Sequence, residues 1–205
     1  AIVVGSGISG GWAAKELTER GLKVLVLERG KDIRHGVDYL GEHAGAWKLP
    51  FHGMPDRERN TRKYRIQSKN YAFSEANIEY WNNDRKNPYI RTEDKPFSWF
   101  RADVVGGRSL LWGRQVYRWS EQDFKANATD GSGIPWPVDY SDIAPWYSHV
   151  ERHAGISGES AGLPQLPDSE FQPPFEMTAP EIAIKASIEE NYPDLHLIMG
   201  RMAHL

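Results

Sequence analysis

The sequence predicts an α/β protein that opens as a Rossmann-like dinucleotide-binding domain, and three features of its first thirty residues predict it. Ile2-Val3-Val4 reads as a buried strand. Gly5-Ser6-Gly7-Ile8-Ser9-Gly10 reads as a glycine turn that enters a helix, and Val24-Leu25-Val26-Leu27-Glu28 as a second strand ending in an acid. Each glycine has its own task. Gly5 allows a sharp turn out of the strand, Gly7 leaves the backbone open to a pyrophosphate, and Gly10 lets the helix pack closely on the sheet. The first helical residues, Ile8 and Ser9, offer N–H groups and the positive end of the helix dipole to phosphates. Glu28 is placed to accept hydrogen bonds from ribose hydroxyls, and its charge disfavours the 2′-phosphate of NADP.

The helix carries the small Ala14 where it approaches the strands and ends at Gly21 in a left-handed cap. From Lys31 to Lys95 the periodicity fades, and Trp47-Lys48-Leu49-Pro50-Phe51-His52-Gly53 precedes the basic run Arg57 to Arg65, which reads as a solvated face. A second glycine turn follows in Arg101-Ala102-Asp103-Val104-Val105-Gly106-Gly107-Arg108-Ser109-Leu110-Leu111-Trp112-Gly113. Its backbone N–H groups suit an anion, although an ordinary turn needing positive φ explains the glycines equally well. Ser141 or Asp142 begins a capped helix that runs through Glu151 and stops at Gly155. Residues 157–180 read as a loop, Ala179 to Asn191 as an amphipathic helix halted before Pro193, and Leu195 to Met199 as a strand. The expected organisation is a βαβ unit over 1–30, an insertion covering the ligand over 31–100, a second turn and helix over 101–125, and over 126–205 the rest of that domain with the start of a substrate domain.

The chain has 205 residues, a net charge of −3 and 40% hydrophobic content. Near-neutral charge gives no indication of a nucleic-acid partner, and no apolar run reaches the length of a transmembrane segment. With no cysteine, disulfides and thiolate metal sites are excluded within it. It begins at Ala1 inside the first strand and stops abruptly at Leu205, which reads as a fragment trimmed at both ends. The compartment is therefore unknown, since any export signal would precede Ala1.

The spacing of Gly5, Gly7, Gly10, Ala14 and Gly21, with Glu28-Arg29-Gly30 after the strand, resembles the FAD form of the motif in glutathione-reductase-like flavoproteins. Joined to a Gly-Gly-x-Ser turn a hundred residues later, it resembles the glucose-methanol-choline oxidoreductase family, of which this would be the N-terminal part. That resemblance implies that Gly106, Gly107 and Ser109 run along the pyrophosphate and under the flavin ring, with Trp112 and Gly113 near its reactive end. The segment is similar to one in pyranose 2-oxidase whose histidine carries a covalent flavin link. Leu111 stands there in this chain, which implies non-covalent FAD. Gly113 replaces the residue near flavin N5 and puts oxidase-type control of oxygen in doubt. Tyr117 to Phe124 and Trp136 to Tyr147 resemble a bacterial branch holding gluconate, sorbitol and glucoside 3-dehydrogenases.

The implied reaction is hydride transfer from a CH–OH group of a sugar, glycoside or polyol to flavin N5, with electrons passed to a cytochrome or quinone. In the family the base is a histidine paired with histidine or asparagine, which here would lie beyond Leu205, so no catalytic residue is expected in this chain. His149 and His153 share a helical spacing but lack a third ligand, so no metal site is expected. His35, His43, His52, His196 and His204 stand alone; His52, on the covering stretch, is one that could meet substrate. The eight tryptophans suit packing more than sugar stacking. Two other readings stand beside this one: an NAD-dependent dehydrogenase, and a nucleotide-binding module without catalysis.

Overall fold

A computed structural model describes residues 1–39, 41 and 44–204; His43 and Leu205 lie outside them. The chain divides into two compact units, Ala1–Trp112 and Gly113–Leu205.

The first unit begins with the expected Rossmann-like βαβ arrangement, and the chain as a whole is mixed α/β. β1 (Ile2–Val4), α1 (Ile8–Glu19) and β2 (Leu25–Leu27) follow in order. β1 and β2 pair in parallel with Ile2 opposite Leu25 and Val4 opposite Leu27, as strands joined by a helical crossover do. α1 ends where Gly21 takes φ +82°. The strands are not buried as their sequence suggested. Ile2, Val4, Leu25 and Leu27 are exposed, because among the described residues the sheet has two strands and their apolar side chains lack a second covering layer.

Beyond β2 the chain continues alongside a distant segment. Lys31 bridges Val104 in parallel, with Lys31 N–H donating to Asp103 O at 3.0 Å and Val105 N–H to Lys31 O at 2.8 Å. Val104 is 1% exposed and is the nearest approach to a core here, with Ile78, Tyr80 and Trp81 also buried. Between these stretches lie short 3-10 turns and α2 (Arg57–Lys63), with Asp56 capping Arg59 N–H at 2.9 Å. The basic run is thus a short helix; it lacks an apolar stripe, so periodicity did not reveal it. Its Arg59 reaches Glu75, whose side chain is 1% exposed.

The second unit holds α3 (Glu121–Asp130), α4 (Tyr140–Ala154), β3 (Ile156–Ser157), α5 (Ala179–Asn191) and β4 (Met202–Ala203). α4 starts at the Asp139 cap, slightly earlier than expected, and closes on Gly155 at φ +61°. α5 has the expected bounds, but Ile182 and Ile184 on it are exposed. The strand expected at Leu195–Met199 is absent. Met199 N–H bonds the Glu159 carboxylate rather than a ladder carbonyl. Pairing begins at Met202, which faces Ser157 and also bridges Gln115. Arg118 fills the interior beneath α4, its guanidinium meeting Glu151 Oε2 at 2.6 Å, Tyr140 Oη at 2.9 Å and Ser148 Oγ at 2.9 Å.

Candidate functional site

The two glycine turns, distant in sequence, meet within the first unit. Gly5 takes φ +90°, a region that glycine enters without steric cost. Gly10 is where the helix presses on the turn: a Cβ there would sit 2.0 Å from Gly5 O. Gly7 is different. It caps α1 with φ −61° and ψ −179°, a conformation open to most residues, and a Cβ on it would meet nothing nearer than Gly106 O at 4.0 Å. Neither backbone shape nor crowding requires a glycine at this position.

The N-terminus of α1 also stands apart. Gly7 supplies no side-chain cap and the first turn has no acid. Asp56 and Asp139 cap α2 and α4, and capping boxes open α3 and α5. The first N–H groups of α1, including those of Ile8 and Ser9, are therefore left for another acceptor.

The second turn places Gly106 at φ +86° and Gly107 at φ +59°, followed by a 3-10 turn over Gly107–Leu110. Ser109 Oγ donates to Gly106 O at 2.6 Å and locks the turn. A Cβ on Gly107 would come 3.5 Å from Gly7 Cα. Trp112, 41% exposed, closes the first unit and Gly113 opens the second.

A residue given no role by the motif joins the two turns. Ser6 Oγ accepts from Gly106 N–H at 2.9 Å and donates to Glu28 Oε2 at 2.5 Å. Ser6 N–H also donates to that oxygen at 2.7 Å, while Arg29 N–H and Gly30 N–H donate to Oε1 at 2.7 Å each. Glu28 thus ties β2 to the first turn, and Ser6 ties the first turn to the second. A ribose hydroxyl has to share or replace one of these four chain donors. Gly30 is the other unassigned residue. A Cβ on it would lie 2.5 Å from Val104 N, so its smallness lets the second segment approach β2. The signal for Ser6 was its place between two motif glycines; for Gly30 it was only its position after Arg29. The Arg29 guanidinium lies on the surface, with Nε 3.5 Å from Asp103 Oδ1.

The Ser6 hydroxyl, then the Gly30 and Ser6 N–H groups, hold the Glu28 carboxyl well below the usual glutamate range, at about 2, with burial opposing them. A depressed carboxyl stabilises the fold above its unfolded-state value and gives that stability up as pH falls towards 2. Urea titrations at pH 5 and pH 3 are therefore expected to show a loss of stability in acid that is smaller in Ser6→Ala. An equal loss in both proteins would show that Ser6 does not hold this charge.

Phe51 and His52 both take positive φ, 53° and 54°, and are exposed. His149 lies edge-on to Trp146 on α4, and among the described residues no cluster of three His, Cys, Asp or Glu could hold a metal. No described helix is long and apolar enough to cross a membrane.

Residues 3–38 match the NAD(P)-binding Rossmann-like domain, which spans the first turn, α1 and β2. The chain is also similar to known oxidoreductases. It is 24% identical over 181 residues to the fructose dehydrogenase large subunit of Gluconobacter japonicus, covering 87% of this chain and 31% of that protein. It is 27% identical to the 2-methyl-1,2-propanediol dehydrogenase of Mycolicibacterium austroafricanum, over 82% of this chain and 26% of the relative. With the 6‴-hydroxyparomomycin C oxidase of Streptomyces lividus it shares 26% over 78% of this chain and 23% of the relative. The chain thus spans less than a third of the length of these relatives. Together the matches imply a dinucleotide cofactor and relatives that oxidise or dehydrogenate sugars, aminoglycosides and diols.

Proposed function

We propose that this chain is the cofactor-holding part of an FAD-dependent oxidoreductase of the glucose-methanol-choline type, acting on a CH–OH group of a sugar, glycoside or polyol. One observation carries the reading: Gly7, a glycine that the fold does not require, faces an uncapped helix N-terminus and abuts the second turn. An anionic group drawn close to the backbone explains that combination. The residues fit a dinucleotide: Gly7, Ile8 and Ser9 would hold the pyrophosphate, with Gly106 and Gly107 alongside. Glu28 and Arg29 mark the ribose end. Gly5 and Gly10 shape the turn, and Ser109 and Trp112 continue the second turn towards the reactive end. Leu111, standing where the similar segment of pyranose 2-oxidase has its flavin-linking histidine, supports non-covalent attachment.

When bound, the flavin supplies a hydride acceptor. The chain's own groups bind and orient: α1 sets its dipole against negative charge, and Ser6 keeps the turns in register. A sugar or polyol substrate belongs to the same proposal through relatives such as the fructose dehydrogenase large subunit, and the base and a cytochrome or quinone acceptor belong to it through the family resemblance. The description of the matched domain favours a nicotinamide cofactor instead, and absorbance separates the two.

The full-length protein is expected to be yellow, with flavin bands near ~450 nm and flavin released into the supernatant by acid precipitation. Gly7→Val should stay folded, because φ −61° suits valine, and should lose most of its flavin. A colourless wild type, or a variant that keeps its flavin, would overturn the assignment. Gly107→Val is the poorer test, since φ +59° makes any loss partly a folding defect.

A further inference from the structure

The basic run leads to a feature that the proposed cofactor site does not use. A cavity of about 340 Å³ in the first unit is lined by Arg62, Arg65, Arg85 and Arg91, with Asp84 and Tyr89. Such a volume is at the lower end of small-ligand sites. Four exposed arginines line it, in a chain whose net charge is −3. Among the described residues none of the four has an ion-pair partner, although Arg59, which shares α2 with Arg62, has one in Glu75.

The carboxylate present is already engaged. Asp84 Oδ2 accepts from Ile66 N–H at 2.8 Å and Gln67 N–H at 3.3 Å, while Oδ1 accepts from Gln67 Nε2 at 2.8 Å and Asn82 Nδ2 at 3.3 Å. Gln67 and Asn82 are fully buried, so this floor is part of the fold rather than a mobile counter-ion. The Tyr89 wall is equally fixed. Its hydroxyl donates to Phe97 O and accepts from Trp99 N–H, and Arg91 Nη1 bonds the same Phe97 carbonyl at 3.1 Å. Behind Tyr89 lies a fifth guanidinium. Arg101 is 7% exposed, stacks 5.2 Å from the Tyr89 ring and 4.9 Å from Trp99, and has no carboxylate partner among the described residues. Its Nη2 donates to Asn87 O at 2.6 Å, and its charge, unmatched by a carboxylate, adds to the positive potential of the cavity it backs.

We infer that this cavity binds a small oxyanion carrying two or more negative charges, a phosphate ester or a polycarboxylate. Guanidiniums pair with such groups through two parallel N–H donors, and four around one cavity can hold several oxygens together. The site is separate from the glycine turns, and the inference stands whether or not the flavin reading does.

The test is calorimetric titration of the full-length protein, flavin-loaded if it carries flavin, with inorganic phosphate and with citrate at low salt. At least one anion should bind, and the Arg62→Gln/Arg65→Gln double variant should bind it roughly tenfold or more weakly. Affinity should fall as salt is added. Phosphate alone points to a phosphate ester, citrate alone to a polycarboxylate, and either supports the site. Overturning results are no binding of either anion, or equal affinity in the variant. Melting temperature and flavin content should match wild type in the variant. A loss of flavin would show that the arginines serve the cofactor region instead, and would overturn the separate site.

Discussion

Gly10→Ala is expected to unfold the first unit or lower its stability by more than about 3 kcal/mol. The added Cβ would lie 2.0 Å from Gly5 O and 3.4 Å from a methyl of Val3. The first neighbour is backbone, so relief requires α1 to move away from β1 and the turn to open. Better helix propensity returns only about 1 kcal/mol of that loss. The adjacent glycine gives the internal control. A Cβ on Gly11 meets Ser6 O at 3.7 Å, an ordinary contact, so Gly11→Ala should gain about 0.5–1 kcal/mol. Urea unfolding of the two variants should therefore shift in opposite directions. If Gly10→Ala unfolds like wild type, α1 does not pack on the turn as described.

Glu151→Ala is expected to cost about 3–5 kcal/mol in the second unit. The side chains of Arg118 and Glu151 are each 4% exposed. The guanidinium also meets Tyr140, Ser148 and Ser169, but those hydroxyls carry no formal charge to balance it. Removing the carboxylate leaves a buried cation, which is worse than having no charge there at all. Arg118→Met combined with Glu151→Leu should accordingly recover much of the lost stability. Thermal unfolding followed by circular dichroism would test both. A Glu151→Ala protein within about 1 kcal/mol of wild type would show that the pair is hydrated rather than buried.

Elements governed by local rules were legible in the sequence. Gly5 and Gly21 mark the ends of β1 and α1, and Gly10 marks where α1 presses on the turn, while Gly155 and Pro193 bound α4 and α5. Elements governed by distant partners were not. α2 has a basic surface and is anchored by Glu75 through Arg59, a pairing no short window reveals. Leu195–Met199 has a strand's composition but lacks a ladder, whereas Met202 gains one from Ser157 and Gln115. The apolar β1 and β2 read as core, yet burial depends on what covers a strand, and composition does not contain that. At the candidate site each glycine turn was visible alone. Their meeting rests on Ser6, an unremarked position inside a motif, and on Gly30, whose closeness to Val104 is a tertiary fact.

The bond between Gly106 N–H and Ser6 Oγ joins residues 100 positions apart. β1, α1 and β2 need only neighbouring sequence and so can form early in folding. The second turn has to close a far longer loop, which is slow to find and entropically dearer. The two halves of this cradle are therefore expected to mature at different times, the Ser6 hydroxyl staying hydrated until the chain beyond Val104 arrives. Any ligand needing both turns would be captured late, and its arrival would select the finished fold over the half-built one.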